Sequence, residues 1–206
     1  FFDVFCEEGA FSPDQASRIL IAAQDYGMVP RLHADQFRDS GAAELAADIG
    51  AIAADHLENM DDRNIPLLKE KDVVAGLLPI CSLYLNYSYP QARKMLDAGM
   101  RVAIATDFNP GSSMCSNLPF AAQLACMQMK MRFDEAILGI TRSASESLLM
   151  ENKIGMLAEG LRMDIALMDI PTPEYFLYHV GRKHTWKVIK RGKVVWENSA
   201  EPVFLS

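Results

Sequence analysis

A chain of 206 residues, half of them hydrophobic (50%), is long enough to bury one sizeable core with a small appendage. Its formal charge of −7 and its lack of any Lys/Arg cluster exclude a phosphate-binding surface of the usual kind, so no nucleic-acid partner is expected. No apolar run approaches the roughly 20 residues of a membrane-spanning helix, so no membrane partner is expected either.

The first residues, Phe1-Phe2-Asp3, carry neither a basic head nor a long apolar core, and no signal peptide is read there. Cys6, Cys81, Cys115 and Cys126 lie far apart with no CxxC pair. That usage predicts reduced thiols and a cytoplasmic location.

In chain order, Phe2 to Cys6 is a strand candidate, followed by Ser12-Pro13-Asp14-Gln15, a capping box with Pro at the first helical position. That helix is expected to run to about Tyr26 and to stop at Gly27. Val29 to Ala34 is the next strand, then a helix near Gly41 to Ile49 that stops at Gly50. Ala51 to Ala54 is the third strand, with a helix from about Asp62 to Lys71. Val73 to Leu78 reads as a buried strand ended by Pro79, and Pro90 to Ala98 as a helix stopped by Gly99. Arg101 to Thr106 is the fifth strand, apolar through most of its length as parallel barrel strands are.

Strand starts near positions 2, 29, 51, 73 and 101 have the spacing of successive βα units of a (β/α)8 barrel, and five units are too few to close one. Beyond Pro110, Leu118 to Met131 and Phe133 to Met150 look helical, the second divided near Gly139 or Thr141. Asp164 to Asp169, Thr185 to Lys190 and Lys193 to Trp196 look like strands, the last two joined by the hairpin turn Arg191-Gly192. The expected fold class is therefore α/β: a partial (β/α)8 TIM barrel over residues 1–153, followed by a small β-rich module over residues 154–206.

Three ionisable residues occupy equivalent places in this pattern. His33, His56 and Asp107 each fall at the carboxyl end of an expected parallel strand, the face where barrel enzymes hold their reacting groups. A single histidine there is more often a satisfied structural residue. Three such groups together are costly to bury unless a metal or a substrate uses them. Imidazole and carboxylate suit zinc or iron, and a water on either ion becomes a nucleophile near neutral pH. Asp107 could bind the metal and accept a proton from that water, while His56 could polarise a carbonyl or stabilise the oxyanion. His33 and Asp107 are only two ligands, and the chain contains no HxH or HExxH. The methionines between Met114 and Met131 have helical spacing and read as core filler. His179 and His184 read as structural.

The segments Leu32-His33-Ala34-Asp35-Gln36, Ala54-Asp55-His56-Leu57 and Ala105-Thr106-Asp107-Phe108-Asn109-Pro110-Gly111-Ser112-Ser113 resemble the imidazolonepropionase family of amidohydrolases. Order and spacing agree, and the likeness continues through Arg162-Met163-Asp164 to Val188-Ile189-Lys190-Arg191-Gly192. It covers the whole chain but only the second half of that family's length, so the barrel units are taken to be the last five.

The resemblance implies hydrolysis of a cyclic amide, 4-imidazolone-5-propanoate, to N-formimidoyl-L-glutamate in histidine degradation, with one zinc or iron ion. It implies His33 and Asp107 as metal ligands, His56 and Asp107 as catalytic residues, and Gln36, Asn109, Gly111 and Ser112 as substrate contacts. The family's strand-one HxH pair has no counterpart among these residues, so the chain alone is expected to be inactive. Another amidohydrolase chemistry, such as a deaminase or a hydantoinase-like enzyme, is the alternative, and a non-catalytic folded fragment a third. Open barrel edges predict a homo-oligomer, or pairing through those edges.

Overall fold

The computed structural model describes residues 1–204. Five strands, β1 (Phe2–Cys6), β2 (Pro30–Ala34), β3 (Ala53–His56), β4 (Val74–Leu77) and β5 (Val102–Ile104), form one all-parallel sheet in sequence order. Each pair is joined by helix: α1 (Pro13–Asp25), α2 (Ala42–Asp48), a 3₁₀ turn (Asp62–Asn64) running into α3 (Ile65–Glu70), then α4 (Pro79–Leu85) and α5 (Ala92–Asp97). After β5 come α6 (Leu118–Met129), α7 (Phe133–Ile140) and α8 (Arg142–Glu146). This is an open part of a (β/α) barrel, as the spacing of strand starts implies.

The punctuation residues act as their chemistry requires. Ser12 caps α1 through the amide of Gln15, whose side chain returns to the Ser12 amide. Gly27, Gly50 and Gly99 hold the left-handed backbone that ends their helices, with φ of 75°, 67° and 79°. Thr141, with φ of −125° and ψ of −87°, divides the long helical stretch into α7 and α8.

The structure departs from expectation in places, among them the following. The third strand starts at Ala53 rather than Ala51 and includes His56 as its last residue. Pro79 does not simply end a strand; it opens α4, where its missing N–H costs nothing at the first helical position. The four-residue helix α9 (Tyr175–Tyr178) carries no periodicity long enough to read from sequence.

The sheet has two chemically different faces. Val4, Leu32, Ala54, Ala75 and Val102 lie in one cross-strand row and pack under the helices in the main core. The opposite face, the barrel interior, carries a small apolar patch of Ala53, Val74 and Ala103 beside the polar residues Asp3, Arg31, His33 and Asp55. There Arg31 grips both Asp55 oxygens at 3.0 and 3.1 Å and donates to the Ser147 carbonyl at 2.6 Å. Opposite Asp55 stands Gly76, where a Cβ would come within 1.9 Å of Asp55 Oδ1. Only glycine leaves room for that carboxylate.

A second sheet of three antiparallel strands, β6 (Ile165–Met168), β7 (Thr185–Lys190) and β8 (Lys193–Glu197), follows the helices. Arg191 and Gly192 turn the β7–β8 hairpin with φ of 50° and 75°, the handedness a two-residue turn needs. Helix α9 ties this sheet to the barrel: Phe176 and Leu177 enter the main core, and buried Gln123 of α6 donates to the carbonyls of Phe176 and His179.

Candidate active site

The carboxyl ends of β2, β3 and β5 bring His33, His56 and Asp107 together. One ligand atom from each lies within 4.8 Å of the others, and among the described residues this is the one His/Cys/Asp/Glu group of metal-ligand spacing. His33 reaches the pocket by simple alternation, since it shares the interior row with Phe5 and Asp55. His56 does not. It pairs in register with Ala34, in the row whose side chains pack under the helices. A left-handed backbone at His56 (φ 81°) and again at Leu57 (φ 65°) reverses its direction, and its ring lies 5.3 Å from that of His33.

Two consecutive bulky residues in that region store steric strain, a feature that concentrates at functional sites. The surroundings hold the turn: the Leu57 amide donates to the Ala34 carbonyl at 3.0 Å, and the Asn59 amide to the Asp35 carbonyl at 2.9 Å. Leu57 itself is fully buried.

Asp3 Oδ2 stands 2.9 Å from His33 Nδ1, an ionic contact whose angle falls outside hydrogen-bond geometry. Burial pulls the His33 imidazole toward neutrality, but Asp3, then Asp55 and Asp107, outweigh it and raise its pKa overall. Asp35, fully buried, is spent on local structure: its oxygens accept from Ser40 and from the amides of Ala42 and Ala43 at the start of α2. Donors of two kinds, imidazole nitrogen and carboxylate oxygen, within one small cluster and with a His33 nitrogen free of an aligned partner, fit a divalent cation.

The loop after β5 is a knot built on Asn109. Its Nδ2 donates to the Asp107 carbonyl (2.7 Å), to Asp107 Oδ2 (3.2 Å) and to Ser112 Oγ (2.9 Å). Its Oδ1 accepts the amides of Gly111 and Ser112, both at 2.8 Å. In this conformation both amides are taken up by Asn109. Gly111 also lacks the left-handed backbone its turn position suggests. The knot braces Asp107, which has φ of 53°.

Gln36 is buried, donates from Nε2 to Cys81 Sγ at 3.4 Å, and has its carbonyl held by Asn59 Nδ2 at 2.6 Å. Burial pushes the Cys81 thiol up to about 12, so it remains a neutral thiol. Phe5, Phe37 and Tyr87 continue edge to face from His33 and form an aromatic wall.

Sequence reasoning passed over three neighbours of this cluster: Glu58, Cys81 and Ser82. Glu58 lies two residues beyond His56, outside any motif that the sequence displays. Cys81 and Ser82 sit in α4, which was not foreseen at all.

Residues 7–195 match the amidohydrolase family. The chain belongs to the amidohydrolase family. It is 44% identical over 195 residues to an imidazolonepropionase of Geobacillus sp. (strain WCH70), covering 95% of this chain and 46% of that protein. It is 45% identical over 190 residues to an imidazolonepropionase of Rubrobacter xylanophilus, covering 92% and 46%. The chain thus spans about half the length of the curated relatives it matches. Among solved structures, an adenosine deaminase from Xanthomonas campestris with bound zinc superposes with a TM-score of 0.79 at 18% identity, over 90% of this chain and 49% of that one. A 5-methylcytosine deaminase from Klebsiella pneumoniae gives a TM-score of 0.78 at 16% identity, over 93% and 53%. These two likenesses establish the fold.

Proposed function

We propose that this chain, residues 1–153 as barrel and 154–206 as β module, forms the second half of an imidazolonepropionase, a metal-dependent hydrolase of histidine degradation. The observation that carries this is the convergence of His33, His56 and Asp107 in a chain over 40% identical to proteins of that name. The substrate is a small molecule, 4-imidazolone-5-propanoate, and the product N-formimidoyl-L-glutamate.

His33 and Asp107 would hold zinc or iron, the remaining ligands coming from outside these residues. A divalent ion there supplies Lewis acidity and lowers the pKa of water. Asp107 accepts the proton of the attacking water and returns it to the ring nitrogen as the C–N bond breaks. The His56 imidazole stabilises charge on the carbonyl oxygen as it becomes tetrahedral. Gln36, buried beside Cys81, would meet the imidazolone ring. Asn109, Gly111 and Ser112 meet the product or the propanoate if their loop exchanges internal hydrogen bonds for external ones.

The test is metal-dependent turnover by the full-length protein. Asp107→Asn should lower kcat by roughly 10²–10⁴-fold, the range for loss of a positioned proton-transfer group. Full activity in that variant, or preference for a hydantoin or an aminopyrimidine over the imidazolone, overturns the assignment.

A further inference from the structure

The His56 ring is 1% exposed and has one side-chain acceptor: Nδ1 faces Glu58 Oε1 at 3.4 Å. Glu58 is equally enclosed, its side chain 2% exposed. The same Oε1 accepts the hydroxyl of Ser82, in the first turn of α4, at 3.1 Å. The other oxygen, Oε2, is buried without any partner. A carboxyl group sealed off from water with half its acceptors unused is costly, and folding alone gives no reason for it there.

We propose that Glu58 is a positioning residue for His56. It fixes the ring's orientation, with Nδ1 turned to Glu58 Oε1, so that the Nε2 edge faces the pocket.

Three observations support this. Oε1 is an acceptor, since it takes the Ser82 hydroxyl, and a ring nitrogen facing an acceptor carries the hydrogen. The left-handed turn at His56 and Leu57 brings the imidazole beside His33 but does not by itself set the ring's side-chain torsions. Glu58, two residues on, holds them through Nδ1, and Ser82 anchors Glu58 from the neighbouring βα unit. Outer contacts that orient an imidazole in this way are worth about 10–100-fold in activity. The inference rests on His56 meeting substrate as proposed above.

The experiment uses the full-length, metal-loaded protein with imidazolone propanoate, and histidine ¹⁵N spectra in the absence of substrate. Glu58→Ala should lower kcat about 30-fold with KM changed less than about threefold, while metal content stays as in the wild type. Glu58→Gln, which keeps an acceptor, should restore most of the loss, and Ser82→Ala should cost about threefold. In a His56→Ala background Glu58→Ala should cost nothing further, because a residue acting only through His56 has no one left to orient. The spectra should show a hydrogen held on Nδ1 of His56, assigned by its loss in His56→Ala, and no longer fixed there in Glu58→Ala.

An unchanged kcat in Glu58→Ala, an additive loss in the double variant, or a wild-type His56 ring with no hydrogen on Nδ1 overturns the proposal. If Glu58→Ala does not fold, Glu58→Gln and Ser82→Ala carry the same spectroscopic test. A wild type inactive on imidazolone propanoate overturns the functional reading instead, and the histidine spectra then decide the Glu58–His56 contact by themselves.

Discussion

At Gly76 the absence of a side chain decides whether a charged pair can exist. Asp55 is held by Arg31 inside the barrel, and burial, only partly offset by that guanidinium, raises its carboxyl pKa. An alanine at 76 would force its Cβ to within 1.9 Å of Asp55 Oδ1, so the carboxylate must leave Arg31. Gly76→Ala is therefore expected to destabilise the full-length protein by about 3–5 kcal/mol, the range for breaking a buried pair, read as a fall in denaturation midpoint at unchanged slope. A midpoint within error of the wild type would show that the pair is unimportant. Nothing in the sequence singles Gly76 out. Its role depends on cross-strand register, which single-strand periodicity does not give. Likewise His33, His56 and Asp107 were legible as strand-end residues, whereas the reversal of His56 was not, because it is a backbone property of one turn.

Helices α5 and α7 are clamped by Arg93, which donates to both oxygens of Glu135 at 2.8 and 3.0 Å, and Glu135 also accepts the Arg132 amide at 2.7 Å. The Arg93 hydrogen bonds hold the Glu135 carboxyl below its ordinary 4.5, against the opposing effect of burial. A depressed carboxyl contributes stability that is complete above the unfolded value and lost as pH falls through the folded one. Glu135→Gln should accordingly lower Tm by roughly 2–4 °C at pH 7. The gap should close as the pH falls below the ordinary Glu value toward acid. A gap independent of pH would mean that packing, not charge, is responsible. At this scale the sequence was most informative where capping is explicit, as at Ser12 to Gln15, and silent where a helix is short, as in α4 and α9. The missing α4 hid two contacts of the candidate site, Cys81 and Ser82.

For the whole molecule, the repeat of strand starts was enough to read the barrel, because five strand–helix units in order admit one handed arrangement. What the repeat could not show is how the β6–β8 sheet attaches. That attachment depends on Gln123, which looks like an interruption in an apolar helix yet donates to two carbonyls across the junction. β1 and β5 are the end strands of the larger sheet, and Phe1, Phe2 and Phe5 are exposed on the first. Unpaired parallel edges flanked by aromatic residues favour association. Expressed by itself, the chain should sediment as concentration-dependent oligomers at micromolar loading, and Phe2→Lys should shift it toward the monomer. A monodisperse monomer at all concentrations would contradict that expectation.

The tandem left-handed turn at His56 and Leu57 will distort any saturation library made at these positions. Val, Ile and Thr at 56 should be depleted from the folded pool simply because branched side chains resist that handedness. Asn and Gly, which tolerate it, should persist in abundance while losing turnover. Abundance and activity scores compared position by position would separate the two penalties, and Asn is the control from which the chemistry of the imidazole can be read.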